Sequence, residues 1–146
     1  MHQPSTLASW PWRSSTTAGL VTLGLMAALY AGEPARGIAL ASATNMAAVA
    51  FFLVGGIGAS AGPRPESSWP RFVVASLVGA AIAAVLCWVV VVILRVVILP
   101  REPFAETLLE DGFGRAVIVF EGSSVAGIVV GSLRRIAHRV TARRAG

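Results

Sequence analysis

Four long apolar runs alternate with short polar segments along this chain, at residues 14–32, 37–62, 72–99 and 116–133. At 1.5 Å per helical residue even the shortest covers about 27 Å, close to the hydrocarbon thickness of a bilayer. The pattern predicts an all-α polytopic membrane protein built as a four-transmembrane-helix bundle. The first run reads as a span and not as a cleaved signal, because small residues are poorly placed for cleavage near Ala31 and a second span follows at once. Trp10-Pro11-Trp12-Arg13 just before it reads as an interfacial anchor, with Tyr30 at the opposite interface. Glu33-Pro34-Ala35-Arg36-Gly37 predicts a tight turn and 63–71 a polar loop. Within the third connection, 103–111 predicts a short helix on the membrane surface, begun by Pro103 and stopped by Asp111-Gly112. Residues 1–13 and 134–146 are polar tails, and no internal repeat is evident.

Charge sharpens the picture. Only 13% of the 146 residues are charged, against about 25% in soluble domains. Of the nineteen charged residues, only Arg95 and Glu121 fall inside the apolar runs. Every basic residue is arginine, a habit of GC-rich coding and not a phosphate-binding device. The tail holds five of the twelve: Arg134, Arg135, Arg139, Arg143 and Arg144. Together with Arg13, Arg64 and Arg71 they outnumber Arg36, Arg101 and Arg115 on the other side. The arginine rule therefore places both termini in the cytoplasm, in a multi-pass protein of the plasma (inner) membrane. The tail reads as a topology anchor and a contact for anionic lipid head groups. No aromatic stacking residue accompanies it, so nucleic acid is not an expected partner.

Cys87 is the single cysteine, and His2 and His138 lie in the tails. No set of residues has metal-ligand spacing, so neither metal nor cofactor is expected. Gly58-Ala59-Ser60-Ala61-Gly62 fits the serine-hydrolase elbow, but no strand precedes it and no histidine can converge on Ser60. Gly56-Ile57-Gly58 lacks the βαβ unit of a dinucleotide loop.

Glu121 demands a reason. A charge inside a span costs about 2.5–3.5 kcal/mol or more unless it is paired. If the third and fourth helices end level with one another, Arg95 and Glu121 lie at the same depth, and an ion pair answers the need of both. Asn45 and Ser124 extend this expectation to a polar seam near the outer leaflet. Small residues predict the packing faces: Gly58 with Gly62 and Gly55 with Ala59 on the second helix, Ala75, Gly79 and Ala83 on the third, and Ser123, Gly127 and Gly131 on the fourth. The bulky stretch Trp88–Leu94 is expected to face lipid.

Size and span count are shared with small multidrug exporters and fluoride channels. Exporters of that kind carry an essential carboxylate in the first helix, and none stands there in this chain. Phe120-Glu121-Gly122-Ser123-Ser124 resembles five residues in the last helix of a small membrane subunit of respiratory complex I, which is too little to define a family. The expected function is that of a small non-enzymatic accessory or assembly subunit of a larger membrane complex. The alternative is a small homo-oligomeric transporter or channel that uses Glu121 for ion coupling. Expected partners are the bilayer and either other membrane subunits or a second copy.

Overall fold

A computed structural model describes residues 10–31, 36–62, 68–98 and 112–144. The expected surface helix at 103–111 lies outside them. The described residues form four helices: α1 (Trp12–Tyr30), α2 (Arg36–Ala61), α3 (Trp69–Ile98) and α4 (Phe113–Arg144). Three are long and apolar enough to cross a membrane, over Ala39–Ala61, Trp69–Ile98 and Phe113–Ala142. The chain is therefore an all-α membrane-type protein. α1 is not among the three, because Arg13 and the four hydroxyl residues after it dilute its first turns.

Three of those four hydroxyls are satisfied locally. Ser14 and Ser15 donate to the carbonyl of Pro11 at 3.0 Å each, and Thr17 donates to that of Arg13 at 2.8 Å. Thr22 and Thr44 donate back to the carbonyls of Ala18 and Leu40. Such back-bonding lets polar side chains sit on a membrane helix without an orphaned donor. α4 runs on through the basic segment to Arg144. The helix thus passes well beyond the apolar run, since no glycine or proline interrupts it before Gly146.

α2 is the hub. α3 and α4 pack on it and on each other, and α1 rests against it. The seams are made of small residues. A β-carbon added at Gly79 would lie 3.3 Å from the backbone of Ala59 and Ser60. One added at Gly127 would overlap Ser60, and one at Gly56 would overlap Ser123 and Ala83. Lipid gives apolar helices no hydrophobic reason to associate, so backbone approach at such positions supplies the contact. Two hydrogen bonds lock the α2–α3 seam: Ser60 Oγ donates to Ser76 O at 2.9 Å and Ser76 Oγ to Ser60 O at 2.7 Å. These contacts make α3 antiparallel to α2 and α4 parallel to it.

Two expectations fail here. Trp88–Leu94 does not face lipid as a block, since Val91 is fully buried and Val92 nearly so. Seven residues make two turns, so no such stretch can keep one face. Gly62 is exposed, and a β-carbon there would meet only its own helix. The packing edge of the glycine-rich end is Gly55, Gly56 and Gly58.

Candidate functional site

Helix register decides which polar groups meet. Ser123 Oγ donates to Leu53 O at 3.4 Å, and Gly122 abuts Leu53. Gly56 faces both Ser123 and Ala83, and Gly131 faces Phe72. Glu121 is thereby level with the region of Leu53 on α2 and Ala83 on α3. Arg95 lies about twelve residues farther along α3, or about 18 Å along the axis. Their side chains lean toward each other along the seam, but that recovers only part of the gap. The register does not bring Arg95 and Glu121 to one depth. The physical reason is that α3 overshoots the start of α4: Gly112 already packs on Trp88 and Val92.

The rest of the expected polar seam is split in the same way. Asn45 is fully buried, close to the level of Val92 and the start of α4. It lies three turns from Gly56 on the same face of α2, so it is aimed between α3 and α4. Neither its Oδ1 nor its Nδ2 has a hydrogen-bond partner. Ser124 is buried, and its hydroxyl donates to the backbone carbonyl of Glu121 at 3.0 Å.

Glu121 itself points away from the bundle. It is exposed, whereas Val119 and Ser123, on the opposite face of α4, are fully buried. Its neighbours on the outer face are Ile118 and Val125, 57% and 65% exposed. By helical rise it sits about 12 Å from Phe113 and about 21 Å from Arg135, well inside the apolar length of α4. Ser123, Gly127 and Gly131 lie on the α4 face turned to α2 and α3.

The first helix holds a feature the sequence reading missed. Trp10 is only 6% exposed, stacked on Phe51 with ring centroids 6.4 Å apart and edge-on to Phe52 at 6.2 Å. It fills the space over Gly55, and Pro11 fills that over Gly58. Trp10 is therefore a packing wedge and not an interfacial anchor. Gly19 meets Ala47 and Phe51, so α1 runs antiparallel to α2. α1 begins about five residues short of the end of α2, which sets Arg13 level with about Val54 and Gly55. Arg13 is exposed and lies across α1 from the buried Ser15. Arg13 and Glu121 thus share a depth to within about one helical turn, and both face outward. Among the described residues neither forms an ion pair. Glycines spaced to receive a bulky Trp-Pro step were the available signal.

The basic end differs from the expected free anchor. Arg135 is 3% exposed, with its guanidinium 4.7 Å from the Phe72 ring centroid and 5.2 Å from that of Trp69. Arg134 and Arg139 are exposed around it. The side chains of Arg143 and Arg144 lie outside the described residues. Among the described residues no group of three or more His, Cys, Asp and Glu could hold a metal ion.

Compared with known proteins, the chain matches no family model, no curated protein and no solved structure.

Proposed function

We propose that this is a non-enzymatic subunit of a membrane assembly, and that its task is association through the outer faces of its helices. The observation that carries this reading is Glu121. It is presented outward from the third turn of α4, on a face that is otherwise apolar. A carboxylate facing lipid at that depth is costly, and a protein surface that covers it removes the cost. The interior is filled by small-residue packing, with its serine hydroxyls turned to backbone carbonyls. That leaves the outer faces as the chemically distinctive part of the molecule.

The segment containing α1 makes a fourth pass in this reading, which returns both tails to one side. That side is the cytoplasm, because Arg71, Arg134, Arg135 and Arg139 gather at one end of the bundle while Arg95 and Arg115 lie toward the other. The plasma membrane is the proposed location.

A native gel with mass spectrometry of co-migrating proteins tests the proposal. A subunit migrates in an assembly much larger than 15.1 kDa. Migration as a lone monomer refutes it. Ion flux into proteoliposomes that Glu121→Gln abolishes would replace it with the transporter reading.

A further inference from the structure

We infer that a second copy of this chain covers Glu121, with Arg13 of each copy meeting the partner's Glu121 across an α1–α4 contact. The inference rests on the proposed association through outer faces and names the occupant. Three observations carry it. Arg13 and Glu121 are opposite charges. Both are exposed on helix faces diametrically opposite to buried residues, Ser15 on α1 and Val119 and Ser123 on α4. The register sets them at one depth to within about a turn. Copies inserted in the same direction therefore present a guanidinium and a carboxylate to each other with a vertical offset of no more than about one turn. An isolated copy leaves two charges toward lipid, and a pair of copies removes both costs at once.

The surrounding surfaces suit such a contact. α1 presents Leu20, Val21 and Leu25 outward, 55–64% exposed, and α4 presents Ile118, Val125 and Val129. Arginine also forms a two-pronged hydrogen-bonded pair with a carboxylate, which sets orientation as well as energy. The number of copies follows from the rotation that closes the contact.

The test is charge reversal with rescue in trans. Full-length chains labelled with donor or acceptor dyes are reconstituted in phosphatidylcholine vesicles, and energy transfer is followed as the protein is diluted in lipid. Wild type should self-associate. Arg13→Glu alone and Glu121→Arg alone should each weaken self-association by roughly tenfold, since each places like charges together. Mixing the two variants restores opposite charges at each contact between unlike copies, and should bring association between donor-labelled and acceptor-labelled variants back to within about threefold of wild type. Rescue on mixing also excludes misfolding, because unfolded chains would not recover. Should either reversal fail to insert, Arg13→Gln and Glu121→Gln are compared with wild type in the same assay, and each should weaken association. Unchanged association in the variants, or no recovery on mixing, overturns the inference. A native assembly that contains other proteins but a single copy of this chain overturns it too, while the association reading stands. A lone monomer in both assays sinks both.

Discussion

Ser60 and Ser76 exchange hydroxyl-to-carbonyl hydrogen bonds across the α2–α3 seam, at 2.9 and 2.7 Å. Ser76 O lies inside α3 and offers its second lone pair, whereas Ser60 O belongs to the last turn of α2, where intrahelical donors run out, and the exchange ties the two backbones together. Interhelical hydrogen bonds in membranes average about 0.6 kcal/mol and reach about 1.7. Ser76→Ala should destabilise the bundle by an amount in that range, and Ser60→Ala likewise. The double variant should cost less than the sum if the two bonds brace one another. Unfolding in graded SDS reads all three, and a double variant as stable as wild type would dissolve the brace.

Glycine positions divide sharply by what surrounds them. A β-carbon at Gly127 overlaps Ser60, while at Gly24 and Gly114 it meets nothing within 4 Å. Gly127→Ala should therefore cost about 1–3 kcal/mol by overpacking. Gly24→Ala and Gly114→Ala should be neutral or stabilising by up to about 1 kcal/mol, because alanine is the better helix former where space is open. Thermal denaturation in detergent separates the two classes, and equal losses at Gly127 and Gly114 would contradict the packing described.

Arg135 lies over Phe72 and Trp69. Arg135→Gln removes the cation and should cost about 0.5–2 kcal/mol. Arg135→Lys should retain part of this, because an ammonium keeps the charge but not the planar stacking. The Arg, Lys, Gln order in SDS midpoint is the expected result. If Lys and Gln score the same as Arg, the stack contributes nothing.

Asn45 is buried with both amide atoms unpartnered. Replacing such a group by an apolar one of similar volume removes a desolvation penalty of about 1–3 kcal/mol. Asn45→Leu should leave stability unchanged or raise it, by the same denaturation assay. A clear loss of stability would mean that the amide holds a partner, such as water, in the native protein.

The existence of the three long spans was legible because apolar length is a direct consequence of bilayer thickness, whereas the continuation of α4 past residue 133 was not. The depth of Arg95 relative to Glu121 was not. It depends on how far α3 overshoots α4, and the overshoot is set by where Gly112 meets Trp88, a contact between distant residues. Inside and outside faces were equally hard to read in α3, where buried Val91 and exposed Ile93 are both aliphatic. In a membrane the lipid side is as apolar as the core, so hydrophobicity alone cannot tell the two apart. Trp10 was misjudged for a related reason. Tryptophan before a span belongs at an interface in general, and only the open edge at Gly55 and Gly58 diverts it into the bundle.

α1 rests chiefly on one neighbour, with Trp10 and Pro11 seated at one end of α2 and Gly19 on Ala47 and Phe51 farther along, while α2, α3 and α4 support one another. Peeling α1 away as a whole would leave the mutual contacts of the trio in place. The first helix is then the piece this protein could lend to another chain, and the three remaining spans the piece it would keep.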